Sequence, residues 1–128
     1  MRDYTKIEAW RLADDLTVAI YERTRSFPRE EIYGLTSQLR RAAYSVPANI
    51  VEGTSRESKK DYLHFLYIAR GSLSETQYFI HLARRLDYLP SERLMRYSNK
   101  RGQRSPVCTV LFGQSKKKRE NSAKWSQP

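Results

Sequence analysis

Two glutamates, Glu52 and Glu75, are the acidic residues that lie on or beside helix faces predicted to be buried. Paired carboxylates are used in general acid and base catalysis, so these side chains are the first candidates for an active site. Burial favours a different role, because a carboxylate removed from water needs a partner such as Gln38, Asn49 or an arginine on an adjacent helix. We therefore predict a structural role for both glutamates, and we predict that the protein is not an enzyme.

Glu52 belongs to a stripe of polar side chains in the segment Gln38–Gly53, and the stripe runs beside an apolar helix face. Residues at steps of three and four fall on one side of an α-helix. The apolar face comprises Ile32, Leu35, Leu39, Ala42, Val46, Ile50 and Gly53. The polar stripe comprises Gln38, Ser45, Asn49, Glu52 and Arg56, and Glu75 of the following helix is grouped with it. Such polar side chains can set the register between helices; a groove for a ligand or a partner is the alternative interpretation.

Other patterns of catalytic or metal-binding residues are missing from the sequence. It has no phosphate-binding glycine loop, no GxSxG motif and no paired Cys or His residues at metal-binding spacing. His64 and His81 are seventeen residues apart on one predicted helix and are expected to lie at the surface. Cys108 lies in an apolar run without a neighbouring base and is expected to be buried and inert. We predict no cofactor and no metal.

A length of 128 residues is typical of one domain with a single hydrophobic core. The single cysteine excludes an intrachain disulfide. Charged residues interrupt the apolar residues of the N-terminal segment, so neither a signal peptide nor a membrane span is predicted. These features predict a cytoplasmic protein without membrane contact.

Positive charge is concentrated in the C-terminal part of the chain. The chain has 24 Lys and Arg against 14 Asp and Glu, and residues 90–128 hold ten of the basic but two of the acidic residues. Such a segment favours polyanions, of which nucleic acid is the commonest in the cytoplasm; a solvated tail that binds nothing specific is the alternative. The candidate nucleic-acid-binding residues are Arg40, Arg41, Arg56, Lys59, Lys60, Lys116, Lys117, Lys118 and Arg119. Tyr44 lies among them and is a candidate for stacking on a base.

Apolar periodicity predicts a first amphipathic helix from Tyr4 to Ser26. Phe27-Pro28 ends it, and Pro28 is expected to begin the second helix. Glu30 and Glu31 would then lie in a first turn, where negative charge suits the helix dipole.

Pro47 lies inside the second helix and removes the hydrogen bond that the Ala43 carbonyl would otherwise accept. The core spacing continues in phase from Leu39 to Ile50, which favours a kinked helix. The alternative is two short helices that meet at residues 45–47. In the kinked helix, the Ser45 hydroxyl is expected to help satisfy the freed carbonyl groups.

A third helix is predicted from Lys59 to Leu86, with Ser58 and Asp61 forming a capping box. It carries two apolar stripes, so it needs two partners, which can be other helices of a bundle or another subunit. One stripe comprises Tyr62, Leu66, Ala69, Leu73, Thr76, Ile80 and Ala83. The other comprises Phe65, Ile68, Ser72, Glu75, Phe79, Leu82 and Leu86.

A fourth helix is predicted to start near Leu94, with Ser91 as its candidate cap, but its pattern fails at Gly102 and Pro106. The composition therefore predicts a helical bundle domain over residues 1–112, followed by a basic, disordered tail over residues 113–128.

The residues around the second helix form a longer pattern that continues into the third. It comprises Phe27, Pro28, Glu31, Tyr33, Gly34, Leu35, Gln38, Arg40, Arg41, Ala42, Ser45, Pro47, Asn49, Ile50, Glu52, Gly53 and Arg56, then Ala69, Gly71, Ser72 and Glu75. The pattern resembles the bacterial four-helix-bundle family encoded in intervening sequences of 23S ribosomal RNA genes, and it covers about residues 4–89. The resemblance implies an all-α, antiparallel up-down four-helix bundle and, from related proteins, a ring-shaped homopentamer. A related protein is the accessory factor of diversity-generating retroelements, which works with a reverse transcriptase and nucleic acid.

The C-terminal part departs from this family, whose members usually end in a long amphipathic helix with a motif like LxGLIxSL. The segment LFGQSKKK is at best a remnant of that motif. The change in charge and the loss of period after about Tyr97 suggest a frameshifted or degraded end, which reading the coding DNA in its other frames would test.

These observations lead to a hypothesis of a non-enzymatic, oligomeric helical protein that binds RNA or DNA as an accessory or scaffold. Phosphate contacts from the basic residues would carry that binding. The alternative is a protein–protein interaction module that docks a partner encoded nearby and binds no nucleic acid.

Overall fold

The segment with the proline and the polar stripe forms one helix, against which the other two described helices pack. The computed structural model describes residues 2–89, and its helices are α1 (Glu8–Thr24), α2 (Leu35–Thr54) and α3 (Lys59–Arg85). Short 3-10 helices at Tyr4–Lys6 and Arg29–Glu31 precede α1 and α2. This part of the chain contains no strand, so the all-α prediction is confirmed. The predicted fourth helix, Cys108, the boundary at residues 112–113 and the cluster Lys116–Arg119 lie outside the described residues.

The three helices are arranged in an antiparallel order with α2 in the middle. Thr24, at the end of α1, bonds to Arg40, whereas the earlier Thr17 bonds to the later residue Ala43, so the two helices run in opposite directions. The α2–α3 connection spans residues 55–58, which turns α3 back along α2. Within residues 2–89, the backbones of α1 and α3 contact α2 and not each other. These residues therefore show the helical class, and the four-helix bundle stays a prediction.

The apolar face of α2 forms the centre of the core. Leu39, Val46 and Ile50 are each fully buried, as the periodicity predicts. Ile32 was predicted to share this face, but that prediction is wrong, because 57% of its surface is exposed. Ile32 lies in the turn before α2, where the helical spacing that relates it to Leu35 does not apply.

The start of α2 also differs from the prediction. Pro28 introduces a 3-10 turn rather than the helix, and α2 begins seven residues later, at Leu35. The Glu31 carboxylate lies outside α2 and accepts a hydrogen bond from the Leu35 backbone N–H at 2.8 Å. A Cβ at Gly34 would lie 3.0 Å from a Glu31 carboxylate oxygen, so glycine makes room for this cap. Glu31 therefore satisfies a free N–H of the first turn from outside the helix.

Pro47 does not interrupt α2, which continues from Leu35 to Thr54. The two-helix alternative is therefore wrong. The carbonyl of Ala43, which has no N–H partner at Pro47, accepts a hydrogen bond from the Thr17 hydroxyl of α1 at 3.1 Å. The sequence predicts that the Ser45 hydroxyl helps to satisfy the freed carbonyl groups. For the Ala43 carbonyl, however, the donor is Thr17 of the neighbouring helix α1.

α3 begins as predicted, with the Ser58 hydroxyl accepting a hydrogen bond from the Asp61 N–H at 3.0 Å. It ends at Arg85, where Asp87 takes a positive φ of 60° and the Tyr88 N–H returns to the Ala83 carbonyl at 2.9 Å. That return bond is the pattern of a Schellman cap, which satisfies a carbonyl of the last turn.

The two apolar stripes of α3 have different environments. The members of the first stripe are buried, except that Leu66 is half-buried. In the second stripe, Phe65, Ser72, Phe79 and Leu82 are half-buried, whereas Ile68, Glu75 and Leu86 are exposed. The described residues thus cover one stripe fully and the other partly, and the prediction of a second partner for α3 stays a prediction.

Candidate nucleic-acid interface

Three of the predicted nucleic-acid-binding residues lie together at one end of the molecule. Arg56 is in the α2–α3 connection, Lys59 and Lys60 begin α3, and all three are exposed. The short connection between two antiparallel helices brings them together, and the Ser58 cap sets where α3 starts. We call Arg56, Lys59, Lys60 and the nearby Arg2 the basic end.

Arg2 is the member of the basic end that sequence reasoning missed. Its backbone N–H donates to the Thr54 carbonyl at 3.3 Å, and its guanidinium Nη1 donates to the Arg56 carbonyl at 3.2 Å. These bonds join residues more than fifty positions apart, so no local pattern in the sequence indicates them. The N-terminal segment therefore adds a guanidinium to the connection between α2 and α3.

Both guanidinium groups of the basic end stack on aromatic rings of α3. The Arg2 guanidinium lies 4.5 Å from the centroid of the Tyr62 ring, and that of Arg56 lies 4.8 Å from the centroid of Phe65. Tyr62 and Phe65 are three residues apart, so their side chains are neighbours on one side of the helix. The rings hold the two charged groups beside each other through cation–π contacts.

An open cleft of about 530 Å³ lies at this end, lined by Arg2, Ser55, Arg56 and Glu57. Arg56 also forms an ion pair and a short hydrogen bond with Glu52, four residues earlier. The Ser55 hydroxyl donates to the Glu52 carbonyl at 2.7 Å. The lining thus has two cationic groups and one carboxylate, Glu57.

Tyr62 provides a neutral ring surface for Arg2. Burial raises the pKa of the Tyr62 phenol above its ordinary value, and the positive charge of Arg2 opposes that shift. The phenol therefore remains protonated at neutral pH and adds no negative charge beside the cleft.

Arg40 and Arg41 lie in the other half of α2 and do not join the basic end. Thirteen residues separate Arg41 from the last residue of α2, which corresponds to about 20 Å along the helix. Arg41 is exposed on the outer side of α2, and Tyr44, one turn later, is 46% exposed. These two residues form a second, separate pair of candidates.

Arg40 instead joins α2 to the end of α1. Its Nε donates to the Thr24 hydroxyl at 2.8 Å, its Nη2 donates to the Tyr21 carbonyl at 3.5 Å, and its guanidinium lies 4.6 Å from the Tyr21 ring centroid. A cation beside the last turn of α1 is favoured by the helix dipole. Arg40 thus bonds to groups of a different helix, α1, and it still contributes charge to this part of the surface.

The polar stripe differs from the expectation that its carboxylates are buried. Glu52 is about half exposed and pairs with Arg56 on the same segment, and Glu75 is exposed. The Asn49 amide donates to the Ser45 carbonyl within α2 at 2.7 Å, and Gln38 is exposed. The two carboxylates are therefore not buried groups that need a partner on another helix. The role of the polar stripe in setting the register between helices stays a prediction.

The outer face of α3 carries an exposed row of side chains at alternating steps of three and four residues. We call this row the α3 surface. It comprises His64, Tyr67, Gly71, Ser74, Tyr78, His81 and Arg85. Both histidines lie in this row, and residues 2–89 contain no group of three or more His, Cys, Asp or Glu arranged to hold a metal ion. Over the same range, no helix is both long and apolar enough to cross a bilayer.

The described fold and its basic end define a small, all-helical protein with clustered arginines and lysines at one helix connection. The family model of the 23S rRNA-intervening sequence protein matches residues 5–106, and the chain belongs to this family. A search of curated proteins found no significant match.

Proposed function

We propose that this protein is a non-enzymatic, oligomeric accessory or scaffold protein that binds RNA or DNA through phosphate contacts. The observation that carries the proposal is the basic end, where Arg2, Arg56, Lys59 and Lys60 lie together and remain exposed. Residues 90–128 add ten basic residues and two acidic ones, a net charge of +8. Clustered Lys and Arg favour binding to phosphates, which does not depend on nucleotide sequence.

Binding of this kind is expected to weaken steeply as salt concentration rises, because phosphate contacts release condensed counterions. Fluorescence anisotropy with a structured RNA and a duplex DNA would give the slope of log K against log salt concentration. The measurement covers about 50 to 200 mM salt, because proteins with several phosphate contacts lose much of their affinity over this range. Replacing Lys59 and Lys60 with glutamine is expected to reduce that slope by about 1 for each lysine that contacts a phosphate.

The matched control for the lysine variant is the double change Arg25→Gln with Arg29→Gln. Both residues are exposed and lie at the opposite end of α2, so the control removes the same charge from another place. An equal loss of slope in both double variants would show that net charge acts without a defined site. No binding of either nucleic acid at low salt would contradict the proposal.

The oligomeric part of the proposal is supported by the α3 surface. Tyr67 and Tyr78 are 51% and 58% exposed, so this row places two large aromatic side chains at the surface. Gly71 lies between them, and a Cβ added there would meet nothing within 4 Å. The absence of a side chain at this position leaves space for the close approach of a second helix, and a homopentamer is the assembly that the family resemblance suggests.

Replacing Tyr67 and Tyr78 with glutamate is expected to convert the oligomer to a smaller species, because two charged carboxylates would then have to be desolvated in the contact. Sedimentation velocity would measure the change. The control is Tyr33→Glu, since Tyr33 is 93% exposed and lies outside the α3 surface. If the double variant sediments like the unmodified protein, the α3 surface is not the contact between copies.

The same surface supports a second candidate function, a protein–protein interaction module. Exposed aromatic side chains such as Tyr67 and Tyr78 fit a different chain as well as a second copy. Co-purification of a partner that survives nuclease treatment and is lost with the Tyr67 and Tyr78 substitutions would favour this function over nucleic-acid binding.

A further inference from the structure

We infer that the cleft between Arg2 and Arg56 binds a single phosphate group through both guanidinium groups. The inference deepens the proposed function and rests on it for the source of the phosphate. The phosphate would thus bind at a defined site within the basic end. The proposed function by itself requires only positive charge there, without a particular geometry.

The first argument is the orientation of the two arginines. Each guanidinium lies against an aromatic ring of α3, at 4.5 Å for Arg2 and 4.8 Å for Arg56. The N–H groups of a guanidinium lie in its plane and form a fork that matches the oxygens of a phosphate. This arrangement suits two-point contacts to phosphate oxygens, and the rings reduce the side-chain freedom lost on binding.

The second argument is the number of donors that remain. Each guanidinium has five N–H groups. Arg2 uses Nη1 to contact the Arg56 carbonyl, and Arg56 uses Nη2 to contact Glu52. Both side chains are thus fixed by one bond each and retain further donors for an anion in the cleft that they line.

The third argument concerns Glu57, the carboxylate in the lining of the cleft. Its negative charge opposes an anion held between the arginines. Replacing it with glutamine keeps the size and polarity of the side chain but removes that repulsion. Glu57 therefore offers a substitution that strengthens phosphate binding, which a merely structural role of the cleft does not predict.

A second cleft supplies a comparison within the same molecule. It has a volume of about 260 Å³ and is lined by Thr5, Lys6, Ile7, Glu8 and Arg11. It also holds two cationic side chains and one carboxylate, but within residues 2–89 no aromatic ring lies against the Arg11 guanidinium. Arg11 is therefore the matched control for an Arg→Lys change.

The test is an NMR titration of the full chain with inorganic phosphate at constant ionic strength, observing the arginine Nε–H signals. Any purification tag belongs at the C-terminus, because Arg2 is the second residue. Saturable shifts of the Arg2 and Arg56 signals are expected.

Arg2→Lys and Arg56→Lys keep the charge but lose the planar fork, and each is expected to weaken binding by about tenfold, which corresponds to 1.4 kcal/mol. Glu57→Gln should tighten binding, and Arg11→Lys should leave it unchanged.

Absence of saturable shifts, or an equal loss of affinity in Arg11→Lys, would overturn the inference. Oligonucleotides with a 5′-phosphate and with a 5′-hydroxyl then distinguish the source of the phosphate. Preference for the 5′-phosphate indicates a terminal phosphate, whereas equal affinities that both fall in Arg2→Lys indicate an internal phosphodiester, and both results support the site.

The failures of the two proposals are separable. Oligonucleotide binding that neither arginine substitution alters would overturn the cleft as a phosphate site and leave the proposed function in place. Saturable phosphate binding without oligonucleotide binding would support the cleft and contradict the proposed function.

Discussion

Replacing Gly53 with alanine is expected to destabilise the protein by about 1–3 kcal/mol, the usual cost of overpacking a well-filled core. A Cβ at Gly53 would lie 3.1 Å from Cβ of Phe65, 3.2 Å from Cδ2 of Tyr62 and 3.3 Å from the Tyr62 carbonyl oxygen. Two of these atoms are held by the start of α3 and cannot move away by rotation of a side chain. The added methyl group must therefore move α2 and α3 apart, which outweighs the gain in helix propensity.

The same change at Gly71 is the matched control and has the opposite expected sign. Gly71 is exposed in the middle of α3, and a Cβ there has no neighbour within 4 Å. Alanine is favoured over glycine in a helix interior by about 0.8–1 kcal/mol, so Gly71→Ala should raise the free energy of unfolding. Both variants are measured by urea denaturation, at protein concentrations below those at which the chain associates.

The informative quantity is the difference in the free energy of unfolding between Gly53→Ala and Gly71→Ala. If Gly53→Ala is as stable as Gly71→Ala, the contact between α2 and α3 is looser than the distances around Gly53 indicate. The basic end would then lose its rigid support, because Tyr62 and Phe65 are also the rings on which Arg2 and Arg56 stack.

Replacing Thr17 with valine is expected to lower the free energy of unfolding by about 1–3 kcal/mol, the cost of leaving a buried acceptor without a donor. The hydroxyl of Thr17 donates to the Ala43 carbonyl at 3.1 Å, and Ala43 is 1% exposed. The hydroxyl also donates to the Ala13 carbonyl at 2.8 Å, so its one proton is shared between the two acceptors, but the Ala13 carbonyl keeps its ordinary helix bond within α1. Valine has nearly the same shape, so the lost hydrogen bond dominates the change.

A double-mutant cycle with Pro47→Ala tests the cause. Alanine at position 47 restores an N–H that can bond to the Ala43 carbonyl, so Thr17→Val should be less destabilising in that background. Thr17→Ser keeps the hydroxyl and is the control for the loss of the donor. Equal effects of Thr17→Val with and without Pro47 would show that the hydroxyl does not compensate for the proline.

Much of the fold can be predicted from local patterns. The helical period placed Leu39, Val46 and Ile50 in the core, and Ser58 marked the start of α3, because each signal depends on residues within a few positions of one another. The start of α2 was missed for the same reason. The sequence predicts Glu30 and Glu31 in the first turn of α2, whereas Glu31 caps the helix from a separate 3-10 turn.

The candidate site was harder to predict, because surface and interface residues look alike in a sequence. Arg40 and Arg56 are both arginines beside an apolar face, yet Arg40 bonds to the end of α1 and Arg56 lies at the exposed basic end. The difference comes from the position of α1, whose last residue, Thr24, lies against Arg40 and not against Arg56. No spacing within α2 contains that information.

The sequence by itself determined the helical class, the core positions Leu39, Val46 and Ile50 of α2, the cap of α3 and the family pattern, since these depend on short-range spacing and residue type. The tertiary structure alone decided three contacts: Thr17 with the carbonyl freed by Pro47, Arg2 with the α2–α3 connection, and the two guanidinium groups with the rings of α3. Each joins groups on different parts of the chain. Their physical basis is the packing of α1, α3 and the N-terminal segment against α2, which selects the donors and charges that meet.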